Sequence, residues 1–126
     1  MLRTDKMECI FCSVRETILE NDLAFAIYDK YPVNKGHILI LPKRHAAEYF
    51  SLTLDERLAI DMLLFEAKAI LEKEHQPDGF NIGINCGEAA GQTVFHCHVH
   101  LIPRYKDDID NPRGGVRGVI PEKRLY

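Results

Sequence analysis

No run of about 18 apolar residues occurs in the chain, so a membrane-spanning helix is not expected. The opening Met1-Leu2-Arg3-Thr4-Asp5-Lys6 lacks the hydrophobic segment of a secretory signal, and the expected location is the cytoplasm. A basic excess is also missing. With a net charge of −3 the chain does not suit a broad nucleic-acid surface, which needs cations to neutralise phosphates, although a local anion pocket is compatible with it. Four cysteines in a chain read as cytosolic do not suggest a disulfide framework. There are no internal repeats and no low-complexity segments. A length of 126 residues, 46% of them hydrophobic and 28% charged, fits one ordinary globular domain over residues 1–126 with a tail from about residue 107.

Leu23 to Asp29 and Gly36 to Pro42 are apolar, β-rich segments, and Pro32-Val33-Asn34-Lys35-Gly36 supplies the turn residues between them. Thr17 to Glu20 reads as an edge strand that follows a turn of helix at Cys12 to Glu16. The segment from Leu54 to His75 reads as a long helix. Thr53 with Glu56 three residues on fits a capping box, and Pro77 and Gly79 stop the helix. Its apolar residues are too widely spread for one stripe: Leu58, Met62, Phe65 and Ala69 share one side, while Ile60, Leu63, Leu64, Ala67, Ile70 and Leu71 extend around it. Burial against both a sheet and a partner subunit would account for that. Phe80 to Cys86 and Val94 to Pro103 read as two further strands linked by Gly87-Glu88-Ala89-Ala90-Gly91-Gln92. The expected class is α+β, an antiparallel sheet of about five strands with one long helix and a short N-terminal helix. The tail Asn111-Pro112-Arg113-Gly114-Gly115-Val116-Arg117-Gly118 reads as a surface segment, either solvated or facing a substrate.

The run Val94-Phe95-His96-Cys97-His98-Val99-His100-Leu101-Ile102 holds three of the six histidines at spacing two. On a strand this spacing aims all three imidazoles at one face and leaves Cys97, Val99 and Leu101 to pack on the other. A neutral imidazole is a nucleophile near pH 7, and a protonated neighbour donates to an anion. Three together suggest phosphate chemistry or a metal. Cys9 and Cys12 form a C-x-x-C, for which metal binding or redox chemistry comes before a disulfide; a thioredoxin-type motif fits poorly without its strand-then-helix context. Cys86 and Cys97 read as small core residues.

Cys9-Ile10-Phe11-Cys12, Gly36-His37-Ile38-Leu39-Ile40-Leu41-Pro42-Lys43 and Gly91-Gln92-Thr93-Val94-Phe95-His96-Cys97-His98-Val99-His100 together resemble the histidine-triad superfamily of nucleotide hydrolases and transferases. The resemblance implies a homodimer whose two sheets join into one, with the long helices packed at the interface. It implies a catalytic set of His96, His98 and His100, in which His98 attacks the α-phosphorus of a nucleotide and becomes a nucleotidyl-histidine that water hydrolyses. His100 would donate to phosphate oxygens and help the leaving group depart, and a backbone carbonyl would hold the other nitrogen of His98.

By the same resemblance Gln92, Thr93 and Asn85 match positions near the phosphate, and Asp29 matches the residue that bonds ribose hydroxyls. Phe11, Val14 and Ile27 match the apolar wall beside the base, and His37 matches a position that orients the triad. His75 has no match. Some branches of the superfamily hold a structural zinc with residues that correspond here to Cys9, Cys12, His45 and His96.

The implied partner is a nucleotide of adenosine or another purine, with no nucleic acid and no membrane. One branch cleaves dinucleoside polyphosphates such as diadenosine tetraphosphate; another cleaves nucleoside phosphoramidates. The chain has no tryptophan and so lacks the Trp-containing C-terminal segment of the eukaryotic phosphoramidases, which favours the first branch. Relatives best known for nucleotidyl transfer carry glutamine where this chain has His100. A zinc-stabilised nucleotide-binding module without catalysis is the competing non-enzyme reading.

Overall fold

The computed structural model describes residues 9–14 and 16–126. Five strands, β1 (Leu19–Glu20), β2 (Ala24–Tyr28), β3 (Ile38–Pro42), β4 (Gly79–Ile84) and β5 (Val99–Arg104), form one antiparallel sheet in the order β1-β2-β3-β5-β4. The helix α1 (Leu54–His75) lies between β3 and β4 in the chain and covers one face of the sheet. The period of two along each strand decides what faces it. Ala24, Ala26, Ile38, Ile40, Val99 and Leu101 pack with Ala59, Ile60, Leu63, Ala67 and Leu71 of α1 in the main core. The alternate residues Phe25, Leu39 and Leu41 form a smaller cluster with Phe11, Val14 and Ile27.

Capping fixes where α1 starts. Thr53 Oγ1 accepts from the Glu56 amide at 3.1 Å, and the Thr53 amide donates to Glu56 Oε1 at 2.8 Å. Arg44 donates through Nε and Nη2 to both oxygens of the same carboxylate, at 2.9 and 2.8 Å, and through Nη2 to the Ser51 carbonyl. The Arg44 guanidinium holds the buried Glu56 carboxyl down at about 2 against the opposing effect of burial. The segment after β3 is thus tied to the first turn of α1. At the other end Gln76 takes the left-handed conformation and Pro77 follows, so Gln76 makes the turn that the sequence attributes to Pro77 and Gly79. Gly36, at φ +92°, passes so close to this end that an added Cβ would lie 2.8 Å from Leu71 Cδ2 and 3.0 Å from His75 Cδ2.

Leu54, Leu58, Met62 and Phe65 of α1 are more than half exposed, and Ile82 on the edge strand β4 is half exposed. This is the second apolar side that the sequence pattern separates from the core side. Among the described residues no helix is long and apolar enough to cross a membrane.

Three expectations change. The short helix expected at Cys12 to Glu16 is not seen among the described residues, which exclude residue 15; just before it, Cys9–Cys12 form a turn closed by the Cys12 amide on the Cys9 carbonyl at 3.2 Å. Strand β5 begins at Val99, not Val94. Continuing its register would set Cys97 opposite Pro42, which has no amide hydrogen to give the ladder, and the Cys97 amide donates to the Ala46 carbonyl at 2.7 Å instead. The tail is not fully irregular: 3₁₀ turns at Gly115–Val119 and Pro121–Lys123 are stitched by Arg124 Nη1, which donates to the carbonyls of Asn111 and Arg113.

Candidate active site

The late start of β5 separates the three histidines of the triad. Only His100 belongs to the strand, while His96 and His98 precede it, so the three imidazoles do not share one strand face. Cys97, Val99 and Leu101 do pack into the core as their spacing requires, and burial pushes the Cys97 thiol up to about 12, where it is inert near neutrality.

His98 and His100 stand side by side with ring centroids 5.1 Å apart, and Phe11 lies 5.1 Å from His98 at a tilt of 58°. The Nδ1 of His98 is 2.8 Å from the His96 carbonyl. A carbonyl only accepts, so Nδ1 carries the proton and the lone pair of a neutral His98 is on Nε2. Burial holds His98 below the ordinary histidine value, which keeps that lone pair free near pH 7. His100 is pushed down further, to about 4, by burial and by the neighbouring His98 and His37.

His96 is fully buried and turned away from this pair. Its Nε2 donates to the Pro42 carbonyl at 2.9 Å, which leaves the lone pair on Nδ1 facing the sulfurs of Cys9 and Cys12, each at 3.5 Å. His45 Nδ1 is 3.2 Å from the Cys12 sulfur. All four ligand atoms lie within 4.8 Å of one another. Tetrahedral bonds of the usual Zn–S and Zn–N lengths put sulfur and nitrogen about 3.5 Å apart, so the donor set and its spacing fit such an ion. The carbonyl behind His96 supplies the outer hydrogen bond that a metal-bound histidine normally makes. The structure brings together the four residues that the resemblance names as a set. His96 therefore reaches the His98 pair through its backbone carbonyl, not through its imidazole.

On the other side of His100, His37 is buried, with its Nε2 2.9 Å from His100 Nδ1 and 3.4 Å from Asp29 Oδ2. The Val33 amide donates to His37 Nδ1 at 3.0 Å. Burial lowers His37 from its ordinary value, and the Asp29 charge opposes that. Asp29 also opens a turn by accepting the Tyr31 amide on Oδ1 at 2.8 Å, so it is both turn former and site neighbour.

His37, Asn85 and His100 line one cavity with Asn81, and Val116 and Val119 of the tail form part of its wall. The tail thus lies beside its own chain's His100. Phe11 and Val14 line a second cavity with Phe25, Glu20 and Lys43, the last two joined by an ion pair of 2.7 Å. Ile27 belongs to the same apolar cluster, and Thr93 is exposed.

Gln92 departs from its expected contact with phosphate. Its side chain is buried: Oε1 accepts the Gly87 amide at 2.8 Å, and Nε2 donates to the carbonyls of Ala47 and Val94. Both amide hydrogens are spent on bracing the loop. The sequence reading also missed Phe25, Leu39 and Leu41 as companions of Phe11, although their alternation along β2 and β3 carried the signal. The Pro42 carbonyl and Val33 amide had no sequence signal, because every residue offers a backbone carbonyl and every residue but proline an amide hydrogen.

A profile of the HIT domain matches residues 13–107. An uncharacterised 16.1 kDa HIT-like protein of Mycoplasma pneumoniae is 40% identical over 104 residues, 78% of this chain and 72% of that protein. The bis(5′-adenosyl)-triphosphatase of Dictyostelium discoideum is 35% identical over 96 residues, 76% of this chain and 64% of that protein. Among solved structures, a Zn-bound histidine triad family protein from Mycobacterium smegmatis superposes with a TM-score of 0.74 at 31% identity, covering 82% of this chain and 80% of the other. The α+β fold, the paired His98 and His100 and these matches agree, and the chain belongs to the HIT domain family.

Proposed function

We propose that the protein is a nucleotide hydrolase that acts at the α-phosphorus of dinucleoside polyphosphates such as diadenosine tetraphosphate, with His98 as nucleophile. The observation that carries this reading is the 2.8 Å contact of His98 Nδ1 with the His96 carbonyl, which leaves Nε2 unprotonated beside His100. His98 Nε2 attacks phosphorus, the bond to the polyphosphate breaks, and the carbonyl steadies the positive charge that develops on the ring. Water then attacks the nucleotidyl-histidine, which releases the nucleoside monophosphate and restores His98.

His100, neutral near pH 7, serves as a hydrogen-bond donor to the phosphate oxygens. A neutral donor suits a polyphosphate, which departs as an anion, better than an amine, which must gain a proton to leave. The bis(5′-adenosyl)-triphosphatase of Dictyostelium discoideum, a similar chain, supports the same class of substrate. In this reading Phe11, Val14 and Ile27, joined by Phe25, hold an adenine or other purine base. Asp29 takes the ribose hydroxyls, and Asn85 and Thr93 attend the phosphates.

Cys9, Cys12, His45 and His96 would hold a structural zinc, which cross-links the N-terminal turn to the segment before β5. The Zn-bound neighbour supports this assignment. The exposed Leu58, Met62 and Phe65, next to the open edge of β4, fit a homodimer that continues the sheet across its two-fold axis.

The test is intact-protein mass spectrometry of rapidly quenched mixtures with diadenosine tetraphosphate and, separately, adenosine 5′-phosphoramidate. An acid-labile adenylyl adduct is expected on the wild type and not on His98→Ala, with faster turnover of the dinucleotide. Faster turnover of the phosphoramidate would move the protein to the other branch. Bound AMP with neither adduct nor product would leave a nucleotide-binding module.

A further inference from the structure

We infer that Asn81, held by Arg104, is a specificity-determining residue that donates a hydrogen bond to the departing polyphosphate, in a groove that Gly83 keeps open. This role deepens the proposed reaction and rests on that reading for its kinetic consequence, while the binding of a phosphate chain tests it without turnover. Strand β5 carries His100, Ile102 and Arg104 on one face, and the residues of β4 paired with them are Gly83, Asn81 and Gly79. The Arg104 guanidinium is fixed by Asp108: Nε and Nη2 donate to its two carboxylate oxygens, each at 2.7 Å. The remaining Nη1 reaches Asn81 Oδ1 at 2.7 Å. A guanidinium only donates, so the atom of Asn81 that meets it is the oxygen, and the amide nitrogen with its two hydrogens is turned away from Arg104.

His100, Gly83 and Asn81 line one cavity of about 400 Å³ between the outer face of β4 and β5 and the tail. Among the described residues no acceptor meets Asn81 Nδ2, and the atom is open to solvent. Gly115 of the tail passes beside it, where an added Cβ would lie 3.4 Å from Nδ2, so the glycine leaves the amide uncovered. Gly83 is paired with His100 across the ladder, and a Cβ there would meet nothing within 4 Å. No side chain of Gly83 therefore blocks the path from His100 to Asn81.

His100 and Asn81 are diagonal neighbours on the ladder, which sets them about 7–8 Å apart, within the reach of a triphosphate. When His98 attacks the α-phosphorus of diadenosine tetraphosphate, the bond to the bridging oxygen breaks and that oxygen keeps the electron pair. The leaving group is then ATP, whose phosphates are acceptors along their whole length. His100 meets the first of these oxygens and Asn81 the later ones. A simple amine leaving group carries no anionic oxygen at that distance, so the Asn81 amide favours the polyphosphate.

The test uses inorganic tripolyphosphate, which has neither nucleoside nor α-phosphorus bond to cleave, in calorimetry with the wild type, Asn81→Asp and Gly83→Val. Asn81→Asp keeps an oxygen for Arg104 but turns the donor into an acceptor, and Gly83→Val fills the groove with a side chain that suits a strand. The wild type should bind tripolyphosphate, Asn81→Asp about 10- to 100-fold more weakly, and Gly83→Val more weakly as well. In turnover, the ratio of kcat/KM for diadenosine tetraphosphate to that for adenosine 5′-phosphoramidate should fall about 10-fold or more in Asn81→Asp. No binding by the wild type, binding to either variant as tight as to the wild type, or an unchanged ratio would overturn the inference. A wild type that turns over neither substrate would refute the hydrolase reading, while the tripolyphosphate comparison would still decide the role of Asn81.

Discussion

The corner built from Cys9, Cys12, His45 and His96 and the corner built from Asp29, His37 and His100 look alike at first. Each gathers candidate ligand atoms within 4.8 Å, and each has a histidine almost without solvent exposure at its centre. They differ in the backbone group that meets that histidine. His96 meets a carbonyl, that of Pro42, and so turns a bare Nδ1 toward two sulfurs. His37 meets an amide, that of Val33, and so turns a hydrogen toward His100. The two buried imidazoles are thereby given opposite chemistry: one can bind a cation and the other passes on a hydrogen bond. The lesson is that a cluster of histidines and acids is not read from residue type and spacing alone. The polarity of the atom behind each ring decides what the ring can do.

Cys12→Ser breaks the comparison most sharply. Metal analysis should show about one zinc per chain in the wild type and a large loss in the variant, with stability falling on the order of 3 kcal/mol, or about 10 °C in Tm. His37→Gln should leave the zinc content unchanged. Two zincs per chain in the wild type, one of them lost in His37→Gln, would make the corners equivalent and the contrast wrong.

A smaller effect is expected from Glu56→Gln, which loosens the Arg44 anchor beside His45. One partner is buried and the other is half exposed, so a loss of about 2 kcal/mol by chemical denaturation is expected at pH 7. The folded carboxyl is held at about 2, below its ordinary value of 4.5, so its contribution is complete above that ordinary value. It is lost as pH falls from 4.5 toward about 2. The gap between wild type and variant should therefore narrow on acidification across that window. A gap that stays constant would show that Glu56 acts through packing and not through charge.

Much of the architecture was legible. Thr53 and Glu56 announced the start of α1, and the alternation in β2, β3 and β5 announced which residues face it. Cys9, Cys12, His45 and His96 were brought together by resemblance, since they are distant in sequence and no local pattern joins them. The errors have physical causes. Strict alternation from Val94 looked like strand, but the ladder ends where Pro42 has no amide to donate, and this separated His96 from His98 and His100. The helix expected from Cys12 is not seen among the described residues, and the turn from Cys9 to Cys12 places both sulfurs beside one imidazole. Gln92 matches a family position near the phosphate, so a ligand contact was the expectation. Its role is set by the Ala47 and Val94 carbonyls, which folding alone brings to it.

The neighbouring imidazoles of His98 and His100 are held as opposite tautomers, the first by the His96 carbonyl and the second by the Val33 amide acting through His37. The most direct measurement is two-bond proton–nitrogen NMR of the ring-labelled wild-type protein near pH 7. His98 should carry its proton on Nδ1 and His100 on Nε2. The same tautomer at both positions, or averaged signals from rapid exchange at either, would contradict it.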